Sequence, residues 1–175
     1  FGSAKINSPA VEHSFDYVGF KFSVSQMNIK KPCFRSVELD IATSKVKKNK
    51  TRIVKSLLQY LSDGDFQDLR DRVRLLTCGY QFFDQRQQMK RSAGLQHTYK
   101  LIDSDAPALV ELDRFFAGIV LSRSGSIGGR LALTLTNGER KELLRYSFAT
   151  GLANRVHFRF NADRLEHLLE CWKYA

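Results

Sequence analysis

Six cations stand within eleven consecutive positions: Lys45, Lys47, Lys48, Lys50, Arg52 and Lys55. The surrounding stretch from Ile41 to Ser62 contains no acidic residue. Like charges this close repel one another, so displaying them together is costly unless an anionic partner neutralises them. The chemistry they suit is phosphate binding. Near an anionic lipid surface each contributes about 1 kcal/mol. On nucleic acid they displace condensed counterions and make affinity fall steeply with salt. A second group, Arg86, Lys90 and Arg91 with Lys100 beyond it, lies in a carboxylate-free run from Gln85 to Lys100. Such segments often reach phosphates when they form loops. A third, Arg70, Arg72 and Arg74, is interleaved with Asp65, Asp68 and Asp71, which predicts local ion pairs rather than a binding face.

Other chemistries find little to work with. Ser124-Gly-Ser-Ile-Gly128 lacks the first glycine of a nucleophile elbow. Gly125 to Gly129 is not followed by the Lys-Ser/Thr pair of a phosphate-cradling loop. His167 and Cys171 share a helix face, but a zinc site needs two more ligands and His157 alone is near in sequence. No pair of carboxylates sits in an apolar setting suited to acid–base work. The expectation is therefore a protein without catalytic residues, metal or cofactor, although an enzyme acting on a phosphorylated substrate stays open as a further reading.

The positive charge is unevenly spread. Residues 1–100 hold 18 Lys and Arg against 9 Asp and Glu, whereas residues 101–175 hold 10 against 9. That imbalance implies one face that prefers polyanions. Cys33, Cys78 and Cys171 are odd in number and far apart, which fits neither a disulfide framework nor a zinc motif and suggests a reducing compartment. No apolar run is long enough to cross a bilayer, and no signal peptide is evident. A membrane role would be peripheral.

A chain of 175 residues with 43% apolar content can bury a core of its own. Residues 1–13 read as a flexible arm and 14–175 as a single α+β domain, an antiparallel sheet with two or three packed helices. Within Ser14 to Met27, Phe20, Phe22 and Val24 alternate with polar residues as in a strand. Asn28 to Pro32 breaks the run, and Phe34 to Ala42 alternates again through Val37, Leu39 and Ile41. Ser44 to Lys50 reads as a basic turn, with Thr51 capping a helix to about Ser62. Gly64 ends that helix and Asp65 caps the next. Asp84 to His97 reads as a mobile loop, and Thr98 to Ile102, Phe115 to Leu121 and the alternating Leu131, Leu133 and Leu135 read as strands. Ser122 to Arg130 reads as a hairpin connection and Asn137-Gly138 as a turn. Val156, Phe158 and Phe160 alternate as a last strand, and Asn161 caps a final helix bearing Leu165, Leu168, Leu169 and Trp172. Aromatics that neighbour cations, such as Phe20-Lys21-Phe22 and Phe158-Arg159-Phe160, fall on the opposite face from those cations and belong to the core.

Two stretches resemble rhabdovirus matrix proteins. The first is Arg52-Ile-Val-Lys-Ser-Leu-Leu-Gln-Tyr-Leu-Ser62, followed after an Asp/Gly linker by Arg72-Val-Arg-Leu-Leu-Thr-Cys-Gly79. It is similar to that family's first helix and the basic-apolar segment beyond it. The second is Arg155-Val-His-Phe-Arg-Phe-Asn161 leading to Leu165 and Trp172, similar to its last strand and closing helix. Together they span about a third of the chain. The resemblance implies a structural protein of virion and host cytoplasm that self-associates, coats an anionic membrane inner leaflet and condenses a nucleocapsid. It places the anion-binding role on Lys47, Lys48, Lys50, Arg52 and Lys55. The chain departs from the family in having only Pro9, Pro32 and Pro107, so the Pro-rich budding motif of animal members is absent, and residues 1–13 lack its Lys-rich arm. The alternative is a stand-alone RNA- or DNA-binding module, a regulator or silencing suppressor.

Overall fold

A computed structural model describes residues 11–25 and 36–174. The expected arm at 1–10, the break at Asn28 to Pro32, Cys33 and the start of the second strand at Phe34 lie outside the described residues. Positions 11–13, expected in the arm, begin β1 (Val11–Tyr17).

The aromatic run beginning at Ser14 folds as a hairpin of β1 and β2 (Phe20–Ser25), joined by Val18 and Gly19. Both turn residues have positive φ, 48° and 87°, which matches the right-handed twist of the strands they join. Glycine adopts that geometry freely, whereas β-branched Val18 is strained in it. The rings of Phe15 and Phe22 stack across the pair at 5.1 Å. β3 (Val37–Ile41) pairs antiparallel with β2, placing Leu39 opposite Phe22 and burying Ile41, as its alternation predicts.

The expected basic turn at Ser44 to Lys50 is helical instead, part of α1 (Thr43–Asp63). Lysines are good helix formers, and buried Val46 extends the stripe of Ile53, Leu57 and Tyr60 towards the N-terminus of the helix. Thr51 is thus a mid-helix residue whose hydroxyl bonds the Lys47 carbonyl, not a cap. α1 ends where expected, at left-handed Gly64, and Asp65 accepts from the Asp68 amide to cap α2 (Phe66–Thr77).

The expected loop after Asp84 is largely structured. β4 (Gly79–Asp84) and β5 (Met89–Gly94) form a second hairpin, and Leu95–Thr98 forms a short helix, α3. β5 shows no apolar alternation because most of it faces solvent and its place is set by the backbone ladder to β4. Thr98 to Ile102 is correspondingly not a strand.

A helical half-chain follows: α4 (Pro107–Leu121), α5 (Gly128–Thr134), α6 (Asn137–Leu143) and α7 (Phe148–Ala153). Phe115 to Leu121 continues α4, since Leu109, Leu112, Phe116 and Val120 form one buried helical stripe. Ser122 to Ile127 joins two helices rather than two strands. Leu131 and Leu135 are buried four residues apart, with Leu133 89% exposed between them. That i, i+4 pair mimics strand alternation. Asn137-Gly138 opens α6 behind a Thr136–Glu139 capping box. β6 (His157–Arg159) and α8 (Ala162–Glu170), capped by Asn161, appear as expected.

The result is one α+β domain, with eight helices among the described residues rather than two or three. One sheet, β1-β2-β3, is antiparallel. The other, β5-β4-β6, is mixed, because β6 joins β4 in parallel. A continuous apolar core runs from α1 and α2 through α4 to α8 and Trp172.

Candidate functional site: a basic cleft on helix α1

The helical spacing of α1 divides the six predicted cations. Lys45, Lys48, Arg52 and Lys55 fall along one side of the helix, Lys47 points outward, and Lys50 lies on the opposite flank. Lys50 is spoken for: its Nζ is 2.5 Å from Glu111 Oε1 on α4 and 5.1 Å from the Phe115 ring. It therefore leaves the predicted cluster. Lys45, Lys47 and Lys48 are exposed, and no hydrogen bond or carboxylate holds their ammonium groups among the described residues. The first turn of α1 carries no acidic residue, so these lysines crowd the positive end of the helix dipole.

Lys45, Lys48, Asn49 and Arg52 line a cavity of about 580 Å³. Its other walls are the Val18–Gly19 turn, Leu75 and Leu76 of α2, Tyr80 of β4, Ala93 to Leu95, Thr98, Tyr99, Leu169 and Trp172. Three cations and no carboxylate line it. The Arg52 guanidinium sits 5.3 Å from the Trp172 ring, and the Trp172 indole donates to the Arg52 carbonyl at 3.1 Å and to Ser56 Oγ at 3.0 Å. The Arg52 Nε is buried without a partner. Burial lowers the guanidinium's pKa from its ordinary value, and nearby Tyr80 pulls weakly the other way. A guanidinium keeps its proton regardless, so Arg52 is a fixed cation in the cleft wall. Burial also pushes the Tyr80 and Tyr99 phenols up, so both keep their hydroxyl protons near neutrality.

The second predicted cluster is not brought to this cleft. Arg86 and Lys90 are exposed at the far end of the β4–β5 hairpin, about 17 Å from its base by strand rise. Arg91 pairs with Asp84 at 2.9 Å and bonds Gln87, so it too is occupied. Lys55 lies farther along α1, near Cys171, whose thiol is pushed up mainly by burial, with Arg72 and Lys55 opposing.

The Arg70–Arg74 cluster pairs locally, as expected. Asp68, 3% exposed, binds Arg72 at 3.0 Å, Arg164 at 2.5 Å and His167 at 2.6 Å. Asp71 binds Arg74 at 3.0 Å and Arg164 at 2.8 Å. Burial would raise the Asp68 pKa, but hydrogen bonds from His167 and Arg164, with the charges of Arg164 and Arg72, outweigh it and hold the carboxyl below its ordinary value. His167 is thus committed to Asp68, not to a metal with Cys171. No group of three metal-ligating residues occurs among the described residues.

Sequence reasoning found the cations of the cleft but missed Tyr80, Tyr99 and Trp172 as its walls. They come from three distant segments, which tertiary packing alone joins: α8 and the β4–β5 hairpin lie against α2, and Trp172 reaches α1 at Arg52 and Ser56.

Fold and site together define an α+β domain with a carboxylate-free basic cleft on its longest described helix. No protein-family model, curated protein or solved structure matches the chain. No helix of the described residues is long and apolar enough to cross a membrane.

Proposed function

We propose that this is a non-enzymatic, matrix-like structural protein that binds polyanions through α1, bridging an anionic membrane leaflet to ribonucleoprotein. The observation that carries the reading is α1 itself: exposed Lys45, Lys47 and Lys48, with half-buried Lys55 farther along, have no carboxylate to match them among the described residues. Cations held unpaired in this way gain most when an anionic surface arrives. Self-association has support from β1, which pairs on one side only among the described residues and leaves Phe15 and Tyr17 more than half exposed. An open strand edge flanked by exposed rings suits pairing with a second copy.

The test is flotation with vesicles of phosphatidylcholine, with and without phosphatidylserine, alongside RNA binding and light scattering across protein concentration and salt. A matrix-like protein floats only with the acidic lipid, releases in high salt and grows in size with concentration. Replacing Lys47, Lys48 and Lys55 with Glu abolishes flotation and RNA binding together. A monodisperse chain that binds RNA but ignores acidic vesicles would instead favour the nucleic-acid module. Binding to both polyanions that is unchanged in the triple variant removes α1 as the site.

A further inference from the structure

The cavity beside α1 differs from the open lysine face. Lys45, Lys48 and Arg52 line it, and Asn49, Tyr80 and Tyr99 add neutral donors, while the Thr98 hydroxyl is already given to the Gly94 carbonyl. Among the described residues, neither the two ammonium groups nor the two phenol hydroxyls have a hydrogen-bond partner, and the Arg52 Nε is buried without one. A volume of about 580 Å³ is within the range of small-molecule sites and far below what a folded nucleic-acid segment occupies. The Trp172 contacts hold Arg52 in place ahead of any ligand, which reduces the ordering cost of binding. Internal phosphodiesters carry one charge each and thread along open surfaces. A site that gathers three cations and two phenol donors into one pocket suits a denser anion, whose oxygens accept several charge-assisted bonds at once.

We propose that this cavity is a binding site for a compact, multiply charged phosphoryl group, a phosphomonoester cluster or polyphosphate, with Lys45, Lys48 and Arg52 as its charged ligands. The assignment rests on the polyanion reading of α1 and adds to it the class of anion that the pocket takes.

Inorganic pyrophosphate titrated into the full chain, followed by calorimetry and thermal melting, is the direct test. Saturable binding is expected, with sulfate at matched ionic strength much weaker. Lys48→Gln and Lys45→Gln each weaken pyrophosphate about tenfold, while Lys141→Gln, on exposed α6, leaves it unchanged. Arg52→Lys, which keeps the charge but loses the fork, weakens it as well. If Arg52→Lys does not fold, the exposed lysine variants decide the matter. No saturable binding, or binding unaltered in both lysine variants, overturns the assignment. If vesicle and RNA binding still depend on Lys47 and Lys55 in that event, the broader function stands and only the pocket falls.

Inositol hexakisphosphate, a nucleoside triphosphate and phosphatidylcholine vesicles carrying a phosphoinositide identify the source. Capture by the phosphoinositide vesicles that exceeds capture by phosphatidylserine vesicles of equal charge, and that pyrophosphate competes away, assigns the group to a lipid headgroup. Competition for pyrophosphate by the soluble compounds alone assigns it to a free phosphate.

Discussion

The α2–α8 junction and the α1 face use the same residue types to opposite ends. In the first, Arg72, Arg74 and Arg164 meet Asp68 and Asp71 within 3.0 Å, and Arg72 is 2% exposed. In the second, Lys45, Lys47 and Lys48 stand exposed with no carboxylate in reach among the described residues. Position in the sequence explains the split. Asp68 lies four residues before Arg72 and Asp71 three before Arg74, so one helix face neutralises itself and α8 adds Arg164 and His167 from outside. The stretch from Ile41 to Ser62 holds no acid, and among the described residues the one ion pair made by its cations is that of Lys50 with Glu111. Cations that fold beside their carboxylates are tied into the junction, whereas those of α1 stay open to solvent.

The comparison breaks most visibly at Asp68. Asp68→Ala leaves buried Arg72 without its carboxylate and is expected to cost about 3–5 kcal/mol, read from urea denaturation. No α1 lysine substitution should approach that. Acid tests the same junction. The Asp68 carboxyl is held below its ordinary value of 3.8, so its stabilising contribution is complete above that value and fades as pH falls through the lower folded one. Urea midpoints measured from pH 5 to pH 2 should therefore drop most steeply below about pH 4, and less steeply in Asp68→Asn.

On the other side, converting Lys47, Lys48 and Lys55 to Gln should weaken acidic-vesicle binding by about 2–3 kcal/mol at moderate salt, measured by flotation. Stability should hold or rise slightly as the like charges are removed. A smaller effect is expected at the turn that walls the cleft. Val18→Asn relieves a β-branched residue at positive φ and should stabilise by about 1 kcal/mol, seen as a higher melting temperature. Least of all, Lys50→Gln removes an exposed pair with Glu111 and should change stability by less than about 1 kcal/mol, leaving vesicle binding nearly unaltered. A large loss of binding in Lys50→Gln would contradict the division of α1 into occupied and open flanks.

Features written in adjacent residues are legible from the sequence alone. The Gly64–Asp65 stop and start, the Asn161 cap and the strand through Leu39 and Ile41 fold as their residues predict, although Val37 at its start stays 56% exposed. Sequence and fold diverge where one local pattern serves two structures. Leu131, Leu133 and Leu135 satisfy a strand period, but only tertiary burial shows that the middle leucine is the exposed one. β5 shows no apolar alternation, since it is placed mainly by pairing with β4 and only its end at Ala93 and Gly94 is partly buried. At the site, the cation run is evident in the sequence, while its division is not. Lys50 is claimed by a residue 61 positions away, and the cleft walls come from segments up to 120 positions from Arg52.

The Trp172 contact with Arg52 and Ser56 also sets a schedule. A chain still being made can form α1 early, because its bonds are local, but it cannot complete the cleft until residue 172 has emerged and α8 has docked. During synthesis the lysines of α1 are thus present without the pocket that organises them. The newborn chain carries the α1 charge well before the cleft exists, and the cleft is complete only once Trp172 has packed against Arg52 and Ser56.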